Sequence, residues 1–143
     1  MSALATQLAE ARTELNARCN TVEESYEFML AYAGQGLASD SGSAKGGQVR
    51  EYLAKAEAAL AGLSTFVAAF TSKAGNDASL APYSAFMEVI DRDARAARAA
   101  IALVIAQPSI SSQVIDNLNA SIHLRALLTD LFLIDEVLKG HKA

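Results

Sequence analysis

The sequence predicts an all-α fold, an up-down-up-down antiparallel four-helix bundle of long helices forming one domain over residues 1–143. Three observations predict it. Apolar positions recur at alternating steps of three and four through four long stretches, the period of one helix face. Only one connection between those stretches is long. With 143 residues, 52% of them apolar and 20% charged, the chain has ordinary globular composition and can bury about two thirds of its unfolded surface without a metal or disulfide staple.

The first helix is expected over about 3–33. Its stripe runs Leu4, Leu8, Ala11, Leu15, Cys19, Val22, Tyr26, Met29 and Ala33. Thr21-Val22-Glu23-Glu24 resembles a capping box, but the stripe passes through it in register, so one continuous helix is preferred. Gly34 and Gly36 suit a C-terminal cap, and the Gly/Ser-rich residues 34–46 read as a flexible connection. Lys45 and its neighbouring glycines look superficially like a phosphate cradle, but no strand precedes them and the lysine comes before the last glycines, so a linker is the better reading.

The second helix, about 47–74, carries Val49, Tyr52, Leu53, Ala56, Leu60, Leu63, Val67 and Phe70, and stops at the Gly75-Asn76-Asp77 turn. The third, about 79–107, has Pro82 in its first turn, where a missing N–H costs nothing. Its stripe is Tyr83, Met87, Ile90, Ala94, Ala97, Ile101 and Val104, and Pro108 closes it. Ser109 is the expected N-cap of a fourth helix over about 109–139. Helices of similar length joined by short loops make antiparallel neighbours.

The fourth helix departs from a simple stripe. Its strict seam, Val114, Leu118, Ser121, Arg125, Leu128, Phe132 and Asp135, includes polar residues. A second apolar row, Ala120, Leu124, Leu127, Leu131, Ile134 and Leu138, widens the face. A third, Ile115, Ile122, Leu133 and Val137, lies on the far side. A helix apolar nearly all round calls for burial on more than one side, so these four residues are the expected interface of a homodimer.

Composition narrows the function classes. The formal charge of −4 supplies no basic stripe for nucleic acid. Charges interrupt the apolar runs, so no membrane span is expected. A single cysteine, Cys19, and an N-terminus without a secretory pattern point to a reducing, cytoplasmic setting.

Candidate sites come from the level at which residues fall in an antiparallel bundle. Cys19, Ala56 to Leu60, Ala94, Ala97 and Ser121 to Arg125 share the middle layer. Small residues facing Cys19, Ser121 and Arg125 leave room for a polar pocket, where the Arg125 fork suits a small anionic ligand. His123 is a candidate phosphoacceptor or partner of Cys19, although no His-Leu-Lys-Gly type pattern surrounds it and no Glu-x-x-His pair is present for a di-iron site. The second histidine, His141, lies near the C-terminus. Tyr26, Tyr52 and Asn117 fall in one layer beneath the long loop, and Tyr83 lies opposite Asp135 as a hydrogen-bond partner. Glu88, Asp91, Arg92, Asp93, Arg95 and Arg98 read as a solvated charged face with pairs at i, i+4. No cofactor or metal motif is found; Cys-x-x-Cys-His is absent.

The expected function is therefore a non-enzymatic interaction protein, an adaptor, chaperone or regulatory subunit that is dimeric through its last helix and binds a protein partner. The architecture is shared by bacterial four-helix chaperones and adaptors, a likeness that carries no function of its own. The alternatives are a small-molecule binder or cofactor-free enzyme built on Cys19, Tyr26, Tyr52, Asn117, Ser121, His123 and Arg125, and a histidine phosphotransfer module.

Overall fold

The computed structural model describes residues 3–140, and these are mostly helical, without a strand among them. Five helices follow in order: α1 (Ala3–Ala33), α2 (Ala44–Ala74), α3 (Ala81–Ile105), α4 (Ser112–Ala120) and α5 (Ile122–Leu138). α1 packs on α2, α2 on α3 and α3 on α5, while α4 and α5 both lie against α1. One continuous apolar core runs through all five.

α1 is unbroken through Thr21–Glu24. Its buried face includes Leu8, Ala11, Leu15, Cys19, Val22 and Met29, and it drifts to take in Ser25 and Tyr32 as well. A straight helix turns about 100° per residue, so a seam spaced at 3.5 residues slowly rotates off the core, and Tyr26 and Ala33 are left half-buried. α2 starts at Ala44, earlier than the glycines suggest, because the Ser43 hydroxyl caps it by accepting the Gly46 N–H at 3.0 Å. Contrary to the sequence expectation, α2 is long and apolar enough to cross a membrane by length and composition. Its Val49, Leu53, Leu60 and Leu63 are nonetheless wholly buried among the other helices.

The fourth stretch is two helices, not one. Ser121 is extended (φ −57°, ψ 132°) and caps both: its N–H donates to Leu118 O at 3.0 Å, and its hydroxyl accepts the His123 N–H at 3.3 Å. This break resets the helical phase by about two residues, which resolves the polar seam. Before it, Ile115 and Leu118 are buried; after it, Leu124, Leu127, Leu128, Leu131, Ile134 and Leu138 are. Arg125 and Phe132 thereby turn outward instead of joining Leu118 and Leu128 in the core.

The Gly/Ser-rich connection is not a loose linker. The Ser112 N–H donates to Leu37 O, and the Leu37 N–H to the Ser112 hydroxyl, each at 2.8 Å. Asp40 accepts the Ile110 N–H at 2.8 Å and the Arg50 Nε–H at 2.7 Å. The remaining Arg50 nitrogens donate to the carbonyls of Ile105 (2.9 Å) and Gln107 (2.8 Å), at the end of α3. The buried Tyr32 hydroxyl donates to Ile110 O at 2.7 Å, and Ser112 Oγ donates to Tyr32 O at 2.6 Å. Two connections distant in sequence are thus locked to each other and to the ends of α1 and α3.

Candidate functional site

The phase shift at Ser121 decides what α5 shows to solvent. Ile122 is 74% exposed, Leu133 53% and Val137 43%, whereas Ile115 is fully buried. Ile115 is therefore withdrawn from the expected interface. In an unbroken helix it would share a face with Ile122, seven residues on; the extended Ser121 separates them. At 100° per residue, Ile122, Leu133 and Val137 fall within about 60° of one another, and Phe132 stands about 80° to the other side of Ile122. Phe132, placed in the core seam by spacing alone, is 54% exposed and joins the outer face.

Beside this face lies an apolar groove of about 380 Å³, lined by Pro82, Tyr83 and Phe86 from the start of α3 and by Leu133, Ile134 and Val137 from the end of α5. Leu133 and Val137 belong to both the face and the groove, so large apolar side chains meet water there. Exposed Arg125 and Glu136 stand on the same side of α5, between Phe132 and Ile122. Lys139 and Glu136 pair with each other at 3.3 Å.

The seven residues expected to form a polar pocket are not gathered into one. Cys19 is buried and its thiol donates to Glu23 Oε1 at 2.9 Å. Burial first, then the Glu23 hydrogen bond and charge, push this thiol up to about 12, the opposite of what a nucleophile needs. In the folded protein at pH 8, Cys19 is expected to react with a disulfide reagent at least about 100-fold more slowly than in urea, since thiolate is the attacking species. Equal rates in the two states would show the thiol to be accessible and ionised. The small residues at its level, Ala56, Ala94 and Ala97, are themselves buried, so they let the helices approach closely.

Tyr52 stacks on Phe28 with ring centroids 4.4 Å apart and carries Lys55 Nζ 4.9 Å above its ring, while Tyr26 is half-buried on α1. Asn117 is exposed and accepts from Gln113 Nε2 at 3.2 Å. Asn117 and Ser121 do share a shallow surface groove with Leu103 and Val114. His123 and Arg125 are both exposed, in the first turn of α5. Asp135 is engaged by Arg12 Nε from α1 at 3.3 Å, and Tyr83 lines the α3–α5 groove. His141 lies outside the described residues.

Two features escaped the sequence reading. One is the Asp40–Arg50 lock, whose partners are 10 residues apart and otherwise backbone carbonyls. The other is on α3: Asp91 pairs with Arg95 at 2.9 Å as the spacing predicts, while Asp130 of α5 is pushed up to about 7, first by burial and then by Asp93.

Comparison with known protein families, with curated proteins and with solved structures finds no match, so function is read from this chain's own residues.

Proposed function

We propose that this protein is a non-enzymatic, cytoplasmic helical interaction protein that forms a homodimer through α5, its α4 and α5 together serving as the fourth helix of an up-down bundle. The observation that carries this reading is the outward exposure of Ile122, Phe132, Leu133 and Val137 on α5, the last two of which also line the α3–α5 groove. Self-association suits it because the charges on this side of α5, Arg125, Glu136 and Lys139, are of both signs. Two copies can therefore meet there without bringing the chain's formal charge of −4 into opposition at close range. A twofold contact also uses the same patch from both subunits, which a single apolar stripe provides.

The test is the mass in solution by light scattering for the wild type and for Ile122→Glu/Val137→Glu. A wild-type dimer that the double variant converts to folded monomers is the expected result. Both changes sit at exposed positions, so little folding stability is at stake. A wild type that stays monomeric at concentrations of about 100 μM, in the weak range for specific association, removes the homodimer from the reading.

The pocket-based alternative is weakened by the outward turn of His123 and Arg125 and by the inert state of Cys19.

A further inference from the structure

Arg125 stands on the outer side of α5 as an exposed cation. The positions one turn away, Ser121, Ile122, Leu128 and Thr129, include no acid, and no carboxylate among the described residues lies within ion-pair distance of it. Glu136 points within about 20° of the same direction, about 16 Å further along the helix. Its own contact is with Lys139 at 3.3 Å, an exposed pair that contributes little.

The same face divides by size. Ala126 and Thr129 lie toward its N-terminal end, Leu133 and Val137 toward its C-terminal end, and none of the four belongs to the buried core. At 100° per residue the other three lie within about 40° of Leu133. His123 and Asp130 stand about 80–100° from Ile122, on the flank toward α3.

Two ways of laying one α5 on another therefore differ. A parallel twofold contact sets each residue beside its own copy, so that arginine meets arginine, glutamate meets glutamate, and small residues face small ones across a gap. An antiparallel contact can set Arg125 against Glu136 of the partner subunit, twice over by symmetry. In that register the twofold axis passes between Asp130 and Leu131. Leu133, about 4 Å from the axis, then falls between Ala126 of the partner subunit and Thr129 of the partner subunit, at about 7 and 2 Å. Val137 falls between the partner's Ile122 and the partner's Ala126. The register that matches the charges thus also seats large side chains over small ones, as knobs enter holes in paired helices.

We propose that two copies meet through antiparallel α5 helices in this register, Arg125 of each chain pairing with Glu136 of the partner subunit and Leu133 filling the space over the partner's Ala126. This rests on the reading of α5 as a homodimer face and adds orientation and register to it.

The experiment is sedimentation equilibrium of the wild type, Arg125→Glu, Glu136→Arg and the double exchange, with disulfide trapping of Thr129→Cys and Ile122→Cys under mild oxidation. Each single charge reversal turns two attractions per dimer into repulsions and should raise the dissociation constant about 10-fold or more. The double exchange restores both pairs and should return to within about threefold of the wild type. Thr129→Cys should link the two chains, since its copies lie about 4–5 Å apart along the axis, and Ile122→Cys should not, its copies being roughly 25 Å apart. A dimer in which the double exchange binds no more tightly than the weaker single variant, or in which Ile122→Cys links and Thr129→Cys does not, overturns the antiparallel register and leaves the α5 homodimer standing. A monomeric wild type removes both. The charge changes sit at exposed positions, where folding is little affected; should one of those variants fail to fold, the cysteine pair decides.

Discussion

Replacing Arg50 with methionine should lower the stability of the fold by about 2 kcal/mol, even though Arg50 lies in neither the apolar core nor the exposed face. Methionine keeps most of the aliphatic stem, so the change isolates the guanidinium. That group bonds Asp40 at 2.7 Å and the carbonyls of Ile105 and Gln107 at 2.9 and 2.8 Å. Without it, Asp40 retains the Ile110 N–H, and the Gln107 carbonyl can turn to water because that residue is exposed. Arg50 is itself partly solvated, which places the loss below the 3–5 kcal/mol typical of a broken buried pair.

The same substitution should change the acid limb. The Asp40 carboxyl is held below its ordinary range, first by the Arg50 hydrogen bond and then by the Ile110 N–H. A depressed carboxyl contributes stability that is present above about pH 4, the unfolded value, and is lost as pH falls through the folded one. Urea midpoints at pH 7 should therefore drop in Arg50→Met, and the gap from wild type should narrow below pH 4 as Asp40 is protonated in both proteins. A gap that stays constant down to pH 2.5 would mean the guanidinium acts through packing rather than through Asp40.

Why this lock was invisible to sequence reading is instructive. The three-four period exposes Leu8, Leu15, Leu53, Met87 and Ile90 as core because burial is a repeated, local property of a helix face, and each of these is buried. Arg50 has no such signature: it is one arginine on a helix flank, and its partners are a carboxylate in a stretch that composition marks as linker and two carbonyls more than 50 residues away. Asp93 is hidden for the complementary reason. It sits in a run of mixed charges that i, i+4 spacing explains as a solvated face, and only the packing of α3 on α5 brings its charge to bear on the half-buried Asp130, whose carboxyl is raised first by burial and then by Asp93.

The outward apolar row of α5 was partly legible. Ile122, Leu133 and Val137 stand out as apolar residues off the main seam, and they are exposed. Spacing along a continuous helix puts Ile115 outside and Phe132 in the core, and the break at Ser121 reverses both. A serine in the middle of an amphipathic stretch is ordinarily tolerated, so Ser121 carried no warning. Its polar place in the seam was the only local trace of the break.

Gly46→Ala and Gly47→Ala should have opposite signs, although they exchange the same residue types at adjacent positions in the first turn of α2. On helix propensity alone each should stabilise, by up to about 1 kcal/mol, because alanine loses less backbone entropy on folding. Gly47 is exposed and a methyl there meets nothing within 4 Å, so the propensity gain is expected to stand. Gly46 is buried, and a methyl there would come within 2.6 Å of the Asp40 carbonyl carbon and 2.8 Å of its Cα, with the carbonyl oxygen nearer still. Those are backbone atoms, and Asp40 is held in place by Arg50 and Ile110, so neither side can withdraw without breaking the lock. Overpacking against a fixed backbone costs about 1–3 kcal/mol and occasionally more, which exceeds the propensity gain. Gly46→Ala should therefore shift the urea midpoint down while Gly47→Ala shifts it up, with the m-value unchanged in both. If Gly46→Ala proves neutral, the 34–43 segment must move aside at little cost, and the hydrogen bonds that tie it to the end of α3 and the start of α4 would then be too weak to define the loop.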